Sequence, residues 1–136
     1  FSCENNYLNY VPTHTAPGHA GIYTGAPPAQ HGILSNFWYD RTIKEAVYCV
    51  SDPSVEPVGT GNKTGRNSPQ RLLVETIGDV NRAQTQMKGK TISISIKNRA
   101  AILSGGHKAN AAYWFRGQDQ GHWITSSYYM MPCQNG

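Results

Sequence analysis

Four residues in this sequence carry chemistry through type and spacing. In Pro12–Gly25, PTHTAPGHAGIYTG, Thr15 stands just before Pro17-Gly18 at the predicted start of a short helix. Free amide hydrogens and the helix dipole favour an anion at such a point, either a phosphate or a hydroxyl that ionises to attack. The same pattern also suits a threonine that merely caps the helix. Lys97 and Arg99 follow the alternating stretch TISISI. Two positions apart on extended chain, their side chains point to one side. A phosphoryl group between them would offset the repulsion, with arginine as a planar fork and lysine as a point charge. Two solvated cations at a strand end are the plainer alternative. Asn36 closes HGILSN, where its amide can donate to an oxyanion or simply shape a turn.

The five histidines are His14, His19, His31, His107 and His122. They form neither HExxH nor HxH, and His14 and His19 have no acidic neighbour in sequence to complete a metal site. All five are expected to be structural or loop residues. The sequence holds no GxSxG, no P-loop and no GxGxxG. Its three cysteines, Cys3, Cys49 and Cys133, contain no CxxC pair. In an exported parent protein the expected disulfide is Cys3–Cys49; three unlinked thiols remain open.

The elements that must position these residues are legible in outline. Pro17 suits a first helical turn and Gly25 the position after the last, so a helix is predicted over 17–24. NFWYD reads as an aromatic loop or short strand, and EAVYCV as a short strand. Residues 51–70, rich in Ser, Pro, Gly, Asn and Thr, read as one long loop. Ser68 as N-cap and Pro69 as first helical residue predict a second helix reaching about Gln86, in which Leu73, Ile77 and Val80 recur at helical spacing with Leu72 and Thr76 beside them. TISISI predicts a strand with Ile92, Ile94 and Ile96 on one face. AAYWF and WITSSYY predict a hairpin around RGQDQGH. A helix feeding a strand with the candidate cations at its exit is α/β organisation, in which chemistry gathers beyond the carboxyl ends of strands.

The chain has 136 residues, 38% hydrophobic and 15% charged, enough for one domain. Its net charge is +4, but the basic residues are scattered rather than clustered with aromatics, so nucleic acid is not an expected partner. No apolar run approaches the roughly 20 residues that span a bilayer. No signal-peptide pattern is visible. Phe1 at the start and MMPCQNG at the end lead us to expect an internal piece of a larger protein.

VPTHTAPGHAGIYTGAPPAQHGILSNFWYDR resembles the nucleophile region of the alkaline phosphatase superfamily. It is most similar to the phosphate-irrepressible alkaline phosphatases, grouped with the nucleotide pyrophosphatase/phosphodiesterase branch. ISIKNRAAILSGGHKANAAYWF and WITSSYY resemble the same proteins further along. The resemblance implies part of a three-layer α/β/α sandwich, truncated at both ends, with residues 1–136 a single partial domain. It implies Thr15 as the nucleophile, also touching zinc, with Asn36, Lys97 and Arg99 binding the phosphoryl group of a phosphate ester. It implies two zinc ions whose other ligands lie outside these residues, a phospho-threonine intermediate, and a periplasmic or secreted location. Monoester hydrolysis is the expected activity. A phosphodiesterase or nucleotide pyrophosphatase of the same fold, or a non-catalytic anion-binding domain, are the alternatives. Asn98 stands where relatives commonly carry Asp.

Overall fold

The computed structural model describes residues 2, 4, 5, 7–61, 63–117 and 121–130. In chain order the elements are α1 (Thr15–Thr24), α2 (Pro28–His31), β1 (Phe37–Asp40), β2 (Glu45–Tyr48), β3 (Pro57–Val58), a 3-10 turn (Lys63–Gly65), α3 (Ile77–Gln84), β4 (Ile92–Ser95), α4 (Asn98–Gly105), β5 (Ala111–Arg116) and β6 (His122–Ser126). β1 and β2 form an antiparallel pair in which Phe37 lies opposite Tyr48. The larger sheet has the order β3-β6-β5-β4. Within it β4 and β5 run parallel, with Ser95 beside Trp114, and α4 makes the crossover between them. Both strands therefore end at the same rim of the sheet, as the α/β expectation requires.

α1 starts at Thr15, two residues before the predicted start, with His14 at the N-cap. Pro17 is its third residue, still inside the turn whose amides have no helical acceptor, so its missing N–H costs little. Gly25 ends it at φ 69°, a left-handed conformation that glycine adopts without strain, and donates to the Gly21 carbonyl at 2.9 Å. α1 buries Ala16, Pro17 and Ala20, and α4 buries Ala100 and Ala101. Side chains this small let the two helices pack closely. Ile102, Leu103, Ile33 and Ile124 fill the core around them. Each such side chain contributes roughly 1.5–3 kcal/mol relative to exposure.

The helix predicted from Ser68 does not form there. Ser68 is buried and its hydroxyl donates to the Asp52 carboxylate at 2.5 Å. Asp52 also accepts from the Ser54 amide and hydroxyl, so it organises the long loop rather than leaving Ser68 to cap a helix. The helix begins at Ile77 instead, where Thr76 and Asp79 form a reciprocal capping box. Leu72 is buried, but Leu73, Ile77 and Val80, which recur at helical spacing, are exposed. Gly106, at φ 77°, lets this cap dock: an added Cβ would collide with Asp79 and Thr76.

The middle of TISISI forms β4, Ile92–Ser95, with Ile92 and Ile94 on one face; Ile96 lies just past its end. The three isoleucines are 61–73% exposed, while Ser93 faces Gly105 of α4. Phe115 and Trp123, paired across β5 and β6, stack edge-on at 5.5 Å and are also exposed. AAYWF and WITSSYY supply β5 and β6, antiparallel as expected. NFWYD is a strand. Cys49 is buried and free; Cys3 and Cys133 lie outside the described residues, so the expected Cys3–Cys49 pairing has no structural counterpart among those described.

Candidate active site

Thr15 is the first residue of α1 and half-buried. It lines a cleft of about 520 Å³ with His14, Gly18, His19, Ser95 and Lys97, among others. The cleft lies where the α1 N-terminus meets the carboxyl end of β4. Lys97 is exposed, sits at the N-cap of α4 and is extended at φ −99°, ψ 130°. Thr15 and Lys97 thus face one space because the small-residue contact of α1 with α4 brings both helix starts together.

Asn36 reaches the same helix start from the loop after α2. Its Oδ1 accepts the Ala16 amide at 3.0 Å, satisfying one of the first free N–H groups of α1. This bond orients the side-chain amide and leaves its NH₂ as the donor. His14 and Ser35 add a second tie, Nδ1 to Oγ at 2.7 Å. His31 holds the loop from below. It is fully buried, and its Nδ1 accepts the Ile33 amide at 3.1 Å. Burial lowers its pKa, so the ring stays neutral with its proton on Nε2. His19 Nδ1 donates to the Thr15 carbonyl at 2.8 Å, one turn back. These contacts tie the loop after α2 and the first turn of α1 together.

Arg99 departs from the predicted geometry. α4 begins at Asn98, so Lys97 and Arg99 do not lie along one extended strand. Lys97 lines the Thr15 cleft and also an adjoining cleft of about 250 Å³, whose wall includes Arg99 and Asn98. Ile96 and Lys97 are common to both clefts, whereas Arg99 lines the second and not the first. Arg99 Nη1 donates to the Tyr48 hydroxyl at 3.1 Å. Its Nε is buried with no acceptor among the described residues. Tyr48 went unnoticed in the sequence. It reads as an ordinary strand aromatic, and its polar partners Asn98 and Arg99 are 50 and 51 positions away.

Among the described residues no three His, Cys, Asp or Glu side chains converge as a metal cage. Thr15 alone offers one oxygen. The described residues do not fit a two-zinc centre by themselves. No helix among the described residues is long and apolar enough to cross a membrane.

The fold and this rim define the class. The family model for type I phosphodiesterase / nucleotide pyrophosphatase matches residues 2–134, and the chain belongs to that family, within the alkaline phosphatase superfamily. It is 49% identical over 130 residues to alkaline phosphatase PhoV of Synechococcus elongatus, covering 96% of this chain and 24% of that protein. It is 44% identical over 130 residues to alkaline phosphatase PafA of Elizabethkingia meningoseptica, again 24% of the relative's length. The crystal structure of wild-type PafA matches with a TM-score of 0.90 at 42% identity, covering 94% of this chain and 25% of that one. A solved PafA variant, with one threonine changed to serine and an asparagine, a lysine and an arginine changed to alanine, matches with the same TM-score. The chain thus spans about a quarter of the length of these relatives.

Proposed function

We propose that this chain supplies the nucleophile and the phosphoryl grip of a phosphate monoester hydrolase. Residues 1–136 serve in this reading as a single partial domain of a larger enzyme. The carrying observation is that Thr15, at the first turn of one helix, shares a cleft with Lys97, at the start of another. A phosphate dianion there meets amides of a helix start and a lysine charge. In the substituted PafA variant the changed residue types are those of Thr15, Asn36, Lys97 and Arg99, in the same order. The threonine and asparagine are 21 positions apart in both chains, and the lysine and arginine two.

In the proposed reaction Thr15 Oγ1 attacks phosphorus, the bond to the departing ester oxygen breaks, and the proton lost by Thr15 leaves with the alcohol. Water then cleaves the phospho-threonine and restores the hydroxyl. Asn36 NH₂, Lys97 and Arg99 hold the phosphoryl oxygens as charge shifts among them. Arg99 lines the adjoining cleft beside Lys97, which supports this role for its guanidinium. Two zinc ions, bound in the parent by residues outside this chain, and a periplasmic or secreted location belong to the same proposal.

A phosphodiesterase is the second reading, favoured by the family description and by Ile22, Ile96 and Ala100 in the wall of the Thr15 cleft. A diester carries less charge and needs apolar room. The test is hydrolysis of p-nitrophenyl phosphate and bis-p-nitrophenyl phosphate by the full-length zinc-loaded protein. Lys97→Glu should depress the monoester far more than the diester. Equal losses would reverse the assignment. No turnover of either by the wild type would leave an anion-binding domain.

A further inference from the structure

We propose that Tyr48 is a positioning residue that fixes where Arg99 presents its guanidinium to the phosphoryl group. The proposal rests on the reading of Arg99 given above and goes beyond it to the residue that sets its geometry.

The hydrogen-bond directions follow from what each atom can do. Tyr48 has one hydroxyl proton and two neighbours. Asn98 Oδ1, at 2.6 Å, can only accept, so the proton goes there. The lone pairs of the hydroxyl then take the Arg99 Nη1 donor at 3.1 Å. Asn98 Oδ1 also accepts the Arg99 backbone amide at 2.7 Å. One closed circuit thus ties both ends of Arg99, its amide and its guanidinium, to a single hydroxyl and a single side-chain carbonyl.

That circuit has a rigid footing. Tyr48 ends β2, its ring sits 4.7 Å from Phe37 on the paired strand, and it packs against the core. Burial pushes the Tyr48 hydroxyl above its ordinary value despite the pull of Arg99, so it stays protonated and can make both bonds. An arginine side chain has many rotamers to lose, and a neighbour that fixes one of them before the ligand arrives makes binding tighter. The hydroxyl takes one terminal nitrogen. The rest of the fork is left for another acceptor.

Tyr48→Phe removes the oxygen and keeps the ring. In the full-length protein it should lower kcat/KM for p-nitrophenyl phosphate about tenfold, and weaken inhibition by inorganic phosphate similarly, the cost of losing a bond to a charged group. The loss on bis-p-nitrophenyl phosphate should be about twofold. In an Arg99→Ala background the same substitution should change monoester hydrolysis less than twofold, since its effect passes through Arg99. Thermal unfolding separates this from a loss of fold. Asn98→Ala cuts the same circuit from the other side, and Asn98→Asp, which keeps the acceptor, should restore most of the activity. Equal losses on both substrates, or a Tyr48→Phe effect undiminished without Arg99, would overturn the positioning role alone. A silent Arg99→Ala would overturn the reading of Arg99 itself, and this proposal with it.

Discussion

The first turn of α3 and the first turns of α1 and α4 solve the same problem in opposite ways. At α3 the chain closes on itself. Thr76 Oγ1 accepts the Asp79 amide at 3.2 Å, and Asp79 Oδ2 accepts the Thr76 amide at 2.9 Å. The Lys108 amide donates to the other Asp79 oxygen at 2.5 Å. A carboxylate already occupies the positive helix end. α1 and α4 have no side-chain bond from the N-cap residue and no acidic residue in the first turn. Single amides are met from outside the cap, Ala16 by Asn36 and Arg99 by Asn98. The Thr15 hydroxyl and two cations stand around these two starts. A helix start sealed by its own carboxylate is architecture, whereas one flanked by cations and left without a carboxylate suits a visiting anion.

The largest effect should come from Thr15→Ala. It should lower monoester turnover by the full-length protein at least about 10³-fold, measured as steady-state kcat, with little change in thermal midpoint. An active Thr15→Ala protein would erase the contrast between the open and the sealed helix. Lys97→Ala should lower kcat/KM for the monoester on the order of 10²-fold. On the diester the loss should be clearly smaller, as a competition assay with both substrates would show.

The sealed side should respond in stability and not in selectivity. Thr76→Ala should cost about 1 kcal/mol in denaturant unfolding and leave the monoester-to-diester ratio unchanged. The smallest effect concerns acid. Burial pushes the Asp52 carboxyl up, but hydrogen bonds from Ser54 and Ser68 outweigh it and hold the group below its ordinary value. Its contribution is therefore present above the unfolded pKa of about 3.9 and lost as pH falls through the lower folded value. Asp52→Asn should flatten the fall in stability below about pH 4, read as the unfolding midpoint against pH. Cys49, whose thiol burial pushes up to about 12, should resist alkylation at pH 8 until the protein unfolds.

Local signals in the sequence were reliable where the local chain decides. The alternation of TISISI, the hairpin residues of β5 and β6, and Gly25 all act within a few positions. Ser68 misled because a serine before a proline has two uses. Its hydroxyl can cap a helix or serve a distant acceptor, and Asp52, 16 positions upstream, claimed it. The true start carried its own mark, T-x-x-D from Thr76 to Asp79, which the helical spacing of Leu73, Ile77 and Val80 obscured. The cations Lys97 and Arg99 were visible by type, but that Lys97 and not Arg99 lines the Thr15 cleft was not, because it depends on α4 beginning one residue after Lys97. Tyr48 carried no local signal at all. Its role exists only once β2 is laid against α4.

The isoleucine row of β4 has a practical consequence. Among the described residues it lies on the border strand of the sheet, and neither proline nor charge interrupts the sequence between Thr91 and Ile96. Unpaired backbone groups beside bare aliphatic side chains invite another strand to add itself. Residues 1–136 expressed alone should therefore self-associate, and light scattering should reveal it before any assay does. An inactive preparation of that kind would report on clumping, with Thr15 never having been put to the question.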